Sequence, residues 1–309
     1  MNKTSQERSK LITVVYHSAD FDGIFCREIA RAFLGESGVT YIGWNFGDPP
    51  IAQIDADECY ILDLPCDAPF GTVGKMPIMS HCDLVWIDHH KSSIESHPKD
   101  IVGYRIDGVA ACRLTWQWFS AIQKRGDGAD YPTEGDLPPK LAFVQRRVSE
   151  PWAVRLAGEY DIWDKRDPNA ELFQYGLRSC KLEDEQWEML LSSDTLVVND
   201  MLDRGMAAQT YAKTVDANNM KASLLITWQG QKFLCLNGRG NSLTFESRDH
   251  KDTGHDALLM FYFNGTKWVV SLYHAKHNTD LDLSIIAKGM GGGGHRGACG
   301  FTCNILPWI

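Results

Sequence analysis

Val85-Trp86-Ile87-Asp88-His89-His90 is an apolar run that ends in three adjacent ionisable side chains. Strands ordinarily end in turn residues. At the carboxyl end of a buried parallel strand, this tip would lie where open α/β sheets place their ligand crevice. Working outward, two other short apolar runs end in acids or imidazole. Residues 11–16 lead into His17-Ser18-Ala19-Asp20-Phe21-Asp22-Gly23, and residues 58–62 end at Asp63. A helical pattern with Phe25, Ile29, Phe33 and Leu34 on one face follows the first run, and residues 39–43 read as a further strand. If these strands are parallel, as the intervening helix suggests, their acids converge on one edge of the sheet.

Further along, after residues 101–106, residues 110–122 carry Leu114, Trp118 and Ile122 at helical spacing. Residues 124–139 form a loop rich in glycine and proline that could border a cleft. A helix-rich segment then holds Glu159-Tyr160-Asp161-Ile162-Trp163-Asp164, and residues 199–219 read as a long polar helix. From residue 222 the texture turns to β, with Asn264-Gly265 as a hairpin signal, then a helix over 282–288 and the run Gly289-Met290-Gly291-Gly292-Gly293-Gly294-His295-Arg296. The expected organisation is a domain over 1–195, a helical linker over 196–221 and a smaller domain over 222–309.

A chain of 309 residues is long for one core, and 44% hydrophobic with 23% charged residues is a globular composition. No apolar run reaches membrane-spanning length, and MNKTSQERSK lacks the apolar core of a signal peptide, so the expected location is cytoplasmic, with no membrane partner. Nine cysteines without a Cys-x-x-Cys pair suit a reducing compartment; Cys299 and Cys303 read as packed thiols. A net charge of −9 argues against binding long duplex nucleic acid, which needs a broad basic surface. A small phosphate-bearing substrate fits better.

His17, Asp20, Asp22, Asp63, Asp88, His89 and Asp161 all offer oxygen or imidazole donors. Taken singly, each acid reads as a helix cap or a surface charge. Taken jointly at successive strand ends, they repel one another unless cations balance them, and imidazole with carboxylate suits manganese, magnesium or iron. Two such ions about 3.5–4 Å apart can share one carboxylate and stabilise the attacking and leaving oxygens on phosphorus.

The ordered set of His-x-x-Asp-x-Asp-Gly at 17–23, Asp63, Asp88-His89-His90, Asp161 and the terminal Gly-Gly-Gly-His-x-x-Ala resembles the DHH phosphoesterases with a DHH-associated C-terminal domain. It is most similar to the compact branch that includes short-oligonucleotide hydrolases. The resemblance implies an N-terminal parallel-sheet domain with helices on both faces, a smaller C-terminal α/β domain and a catalytic cleft between them. It also implies two manganese ions, with magnesium as the alternative: His17, Asp20 and Asp63 hold one, and Asp22, Asp63, His89 and Asp161 hold the other. Asp63 then bridges, Asp88 supports the site from behind and His90 lies near the scissile phosphate. Asp164, three residues after Asp161, is an alternative ligand, and helical spacing would put both on one face. Gly293, Gly294, His295 and Arg296 would bind the substrate phosphate, with Asn237–Asn241 and His274 as further lining or as plain turn and strand-end residues.

Two decoys are set aside. The glycine run matches a dinucleotide fingerprint but follows a helix and precedes a strand, the reverse of that motif's setting. Ten tryptophans invite a base-stacking reading, yet Trp116, Trp118 and Trp187 sit at core helical positions, Trp152 and Trp163 flank the Asp161 segment, and of the set only Trp163 is a candidate for a place near substrate.

The expected activity is a metal-dependent phosphodiesterase that hydrolyses very short oligonucleotides to mononucleotides. Cyclic dinucleotides, nucleoside 3′,5′-bisphosphates and pyrophosphate are alternative substrates of the same chemistry. Outside it stand a non-catalytic nucleotide-binding protein, which a complete ligand set argues against, and a processive single-strand exonuclease, which would need clustered basic residues. A homodimer is compatible with the family.

Overall fold

The computed structural model describes residues 10–71, 82–126, 130–164, 166–192, 194–240, 242–247 and 253–309. Asn241 and residues 127–129 of the glycine-proline loop lie outside the described residues. The chain divides into two compact units, 1–206 and 207–309.

In the first unit, strands β1 (Ile12–His17), β2 (Val39–Trp44), β3 (Glu58–Leu62), β4 (Asp83–Asp88) and β5 (Gly103–Arg105) form one parallel sheet in the order β2-β1-β3-β4-β5. This order reverses between β1 and β3, the switch point outside which such sheets place ligands. The helices are α1 (Phe21–Leu34), α2 (Lys91–Ser96), α3 (Ala111–Arg125), α4 (Lys140–Val144), α5 (Trp152–Asp161), α6 (Asn169–Ser179) and α7 (Asp184–Leu190).

Alternation along the strands separates two apolar layers. Val14, Tyr16, Tyr60, Leu62, Val85 and Ile87 pack with Phe25 and Ile29 of α1, Leu114 and Trp118 of α3, and Val154 and Leu156 of α5. On the other face Val15, Cys59, Ile61 and Trp86 meet Trp44, Leu64 and Cys66, flanked by Ile51, Ile54 and Phe70. His97, which closes α2, lies against Trp86 on that layer, 5.2 Å between ring centroids.

The 24-residue helix α8 (Leu196–Asn219) contains the division between the units. Beyond it β6 (Leu224–Trp228), β7 (Gln231–Asn237), β8 (Ala257–Phe263), β9 (Trp268–His274), β10 (Gly293–His295) and β11 (Ala298–Cys303) form a mixed sheet ordered β10-β11-β9-β8-β7-β6, with α9 (Leu283–Gly289) packed on it. Asn264 makes the β8–β9 turn by accepting from the backbone N–H groups of Thr266 and Lys267 at 3.0 and 2.9 Å. Cys299 and Cys303 sit in the apolar layer under α9 as free thiols.

Tyr131 donates to Glu58, the first residue of β3, and Tyr104 donates to the Pro138 carbonyl. At Tyr131 the described part of the loop over 124–139 meets the amino end of β3.

Candidate metal centre

His17 ends β1, and the chain turns directly into α1. Gly23 makes that turn possible, because a Cβ there would stand 1.9 Å from the His17 carbonyl oxygen. Asp20 is the N-cap of α1: its Oδ1 accepts the Gly23 N–H at 3.2 Å, while Oδ2 stands 3.1 Å from His17 Nδ1. One carboxylate oxygen thus caps the helix and the other faces His17, so the cap does not preclude the ligand reading of Asp20.

Asp22, buried in the first turn of α1, reaches α3. Its two oxygens accept the backbone N–H groups of Ala111 and Cys112, both at 2.8 Å. The opening turn of a 15-residue helix has unpaired N–H groups and the positive end of the macrodipole, so an anion is well placed there. Oδ2 also lies 3.6 Å from His89 Nε2.

Asp63 follows β3 at φ 59°, in the left-handed region where Asp is one of the few tolerated non-glycine residues. Its N–H donates to the Ile87 carbonyl at 2.9 Å, which ties it to the neighbouring strand. Its carboxylate stands between three imidazoles: Oδ2 is 3.4 Å from His17 Nδ1, and Oδ1 is 3.4 Å from His89 Nε2 and 3.9 Å from His90 Nδ1. Asp161, the last residue of α5, places Oδ2 3.4 Å from His89 Nε2.

Asp88 is fully buried behind these groups. Its Oδ1 accepts from the backbone N–H of His89 at 2.7 Å, from that of His90 at 3.2 Å and from His90 Nδ1 at 2.7 Å. The carboxylate thereby fixes the turn at the tip of β4 and orients the His90 ring; burial opposes a charged imidazole, but Asp88 outweighs it and raises His90 toward the protonated form, in which Nε2–H is a donor.

Among the described residues three groups could hold a cation: His17, Asp20 and Asp63; Asp22, His89 and Asp161; and Asp63, His89 and His90, the donor atoms of each within 4.8 Å of one another. Asp63 and His89 each belong to two. Without cations, His17, Asp22 and Asp161 keep their protons more tightly than usual, while Asp63 stays ionised. Burial opposes a charged His17 ring, but Asp20 and Asp63 outweigh it and push the imidazole up to about 10. Burial and then repulsion from Asp63 push the Asp22 carboxyl up to about 7. Asp161 is likewise raised by burial and by Asp22. Burial would raise Asp63 too, yet the imidazoles of His17 and His89 hold it below the usual carboxylate range. His17 Nδ1 and Asp63 Oδ1 are buried and make no hydrogen bond among the described residues. Orphaned donor atoms amid crowded carboxylates and imidazoles are what hard or borderline divalent cations satisfy, so the donor set fits manganese or magnesium.

Asp164 does not share a helical face with Asp161. The helix ends at Asp161, Trp163 adopts φ 56°, and Asp164 turns to Arg166, accepting from its Nε at 2.8 Å. Trp163 is 41% exposed and stacks on Tyr160, 5.8 Å between centroids. Trp118 and Trp187 are buried core residues, and Trp116 packs edge-on against Phe33.

The remaining expected substrate residues lie in the second unit. Gly293, Gly294 and His295 form β10, paired with Gly300, Cys299 and Ala298, and Arg296 donates to the Asp280 carbonyl. Gly294 is required by packing, since a Cβ there would meet Cys299 Cα at 2.7 Å, whereas Gly293 has open space beside it. His274 is a framework residue: its Nε2 bonds the Leu281 carbonyl at 2.6 Å. Arg239 lies over the Tyr262 ring at 4.6 Å.

Sequence reasoning missed the support behind Asp63. Trp86 donates its indole N–H to the Leu64 carbonyl, and the His97 ring and the Arg105 guanidinium lie 5.2 and 4.8 Å from its ring centroid. His97 in turn faces Asp67 at 3.1 Å. An aromatic two residues before an ionisable strand end was the available signal.

No family model matches the sequence. Uncharacterised protein R106 of Acanthamoeba polyphaga mimivirus is 25% identical over 228 residues, which are 70% of this chain and 47% of that one. The chain thus spans about half the length (47%) of the curated relative it matches. Among solved structures, an exopolyphosphatase-related protein from Bacteroides fragilis is 12% identical, with 96% of this chain and 88% of that chain covered at a TM-score of 0.51. That likeness shows the fold. A pGpG-specific phosphodiesterase from Vibrio cholerae covers 96% of this chain and 94% of its own at 12% identity and a TM-score of 0.46. No helix among the described residues is long and apolar enough to cross a membrane.

Proposed function

We propose that this chain is a two-metal phosphodiesterase of the DHH type that hydrolyses very short oligonucleotides to mononucleotides. The observation that carries this reading is Asp63, one carboxylate set between His17 with Asp20 on one side and His89 on the other. In this reading His17, Asp20 and Asp63 hold one cation, Asp22, Asp63, His89 and Asp161 hold the other, and manganese or magnesium fills both places. Bound there, the ions supply Lewis acidity toward phosphoryl oxygens and a nucleophile at neutral pH.

The chain's own residues supply orientation and charge. Asp88 fixes His90 through Nδ1, which leaves Nε2 to meet a phosphoryl oxygen or a leaving group. Buried Asp22 and Asp63 balance the cations and keep them at fixed positions on rigid strand and helix ends. His295 and Arg296, with Gly293 and Gly294, take the substrate phosphate in this reading. The shared fold of an exopolyphosphatase-related protein is compatible with hydrolysis at phosphorus. A net charge of −9 supports a substrate of a few nucleotides over a long polymer.

The test is to incubate the purified chain with manganese and, in parallel, a linear dinucleotide, a cyclic dinucleotide, a nucleoside 3′,5′-bisphosphate and pyrophosphate. The linear dinucleotide is expected to have the highest kcat/KM. Preference for another of the four would move the assignment within the same chemistry, and turnover of none would overturn it.

A further inference from the structure

Phe46 is 65% exposed, and this is unusual in one respect: the turn that holds it out is braced from several directions. Asn45 ties the turn to the segment that follows His17, accepting the Ser18 N–H at 3.1 Å through Oδ1 and donating to Ser18 Oγ at 3.0 Å through Nδ2. Asp48 closes the turn by accepting the Asn45 N–H at 2.8 Å and donating its own N–H to the Asn45 carbonyl at 2.9 Å. Gly47 supplies φ 103°, which an L side chain rarely adopts. Buried Trp44 donates its indole N–H to the Pro49 carbonyl at 3.1 Å, bracing the turn from below.

The ring so held stands beside the metal centre. Its centroid is 6.3 Å from that of His17 and 5.6 Å from that of Trp44, at interplanar angles of 67° and 68°. Neither neighbour lies flat on it. A single exposed phenylalanine needs no explanation by itself. Here, however, a preordered turn presents an aromatic ring next to a cation-ligand triad, within the span that separates a phosphodiester from its base.

We propose that Phe46 is a specificity residue that stacks a nucleobase of the substrate while the adjoining phosphodiester lies at the His17, Asp20 and Asp63 end of the metal centre. The inference rests on the phosphoesterase reading above and narrows it: the site selects phosphoesters that carry a base over base-free phosphates. Stacking on an aromatic ring is tolerant of base identity, because every base has a π-face. The preference is therefore for the presence of a base and not for its sequence.

The experiment compares wild type, Phe46→Ala and Phe46→Trp with manganese on a linear dinucleotide and on the corresponding abasic diester. If the abasic diester is not turned over, its affinity as a competitive inhibitor takes the place of its kcat/KM. The expected result is that the dinucleotide-to-abasic ratio falls about tenfold in Phe46→Ala and returns in Phe46→Trp. An unchanged ratio in Phe46→Ala overturns the proposal and leaves the phosphoesterase reading standing. Wild type that turns over no phosphoester overturns both.

Discussion

The indole N–H of Trp86 donates to the carbonyl oxygen of Leu64 at 2.7 Å, with both residues fully buried. Leu64 directly follows Asp63, whose φ of 59° is a conformation that the chain must be held in. The bond pins the loop on the far side of that residue, while the Asp63 N–H is pinned to Ile87 on the near side. Trp86→Phe keeps an aromatic side chain, though a smaller one, and removes the donor. It leaves a buried carbonyl unpaired, at a cost of about 1–3 kcal/mol. The expected outcome is a Tm lower by several degrees together with manganese affinity weakened about tenfold, as when partners of metal ligands are removed. Calorimetric titration checks it; unchanged affinity would show that Trp86 supports the fold alone.

Asp63→Asn tests the bridging role with little structural disturbance. Asparagine also tolerates the left-handed region, so the fold should persist by circular dichroism. Only the charge between His17 and His89 is lost. Manganese-dependent turnover is expected to fall by more than about a hundredfold, beyond the usual effect of removing an outer partner. Activity like that of wild type would refute the bridge.

A third prediction concerns pH. Asp22, pushed up to about 7, binds its proton more tightly folded than unfolded, so metal-free stability falls as pH rises from the ordinary carboxylate range through about 7. His17, pushed up to about 10, acts in the same direction: its contribution is full below the ordinary histidine range and is lost as pH approaches 10. A cation must displace both protons. The rise in Tm on adding manganese should therefore be larger at about pH 8 than at about pH 6. Equal increments at the two pH values would count against cation binding at these residues.

The buried pair behind α3 gives a prediction about stability alone. Arg113 Nε lies 3.1 and 3.0 Å from the two Glu150 oxygens, and both side chains are almost wholly buried. Burial raises the Glu150 carboxyl, and the Arg113 charge opposes that rise. Arg113→Ala leaves an unpaired carboxylate in the core and should destabilise the protein by about 3–5 kcal/mol. The double change Arg113→Met with Glu150→Leu should recover most of that loss in urea unfolding.

What the sequence made legible follows the range of the interaction. An apolar run that ends in Asp88, His89 and His90 is a local anomaly, and a parallel sheet was expected from runs of the same kind, though not its strand order. Local signals also suggest that Asp20 caps a helix, which it does. The second helix anchor was out of reach, because Asp22 binds the start of α3, 89 and 90 positions away. Helical spacing wrongly grouped Asp164 with Asp161, since a left-handed tryptophan at 163 carries no glycine to announce it. Trp86 read as one more apolar strand residue, and only the fold shows what its N–H meets.

Asp22 has one further consequence, and it concerns descent. Its carboxylate is a candidate cation ligand and also the anchor from which α3 hangs, so its loss would harm the core as well as the proposed metal site. A lineage that abandoned catalysis could shed Asp161, at the partly exposed end of α5, with far less damage to the core, and it would still retain Asp22. An aspartate aligned with position 22 in a distant sequence is therefore weak testimony to activity. One aligned with position 161, at the end of a helix and free of any such duty among the described hydrogen bonds, is the better witness.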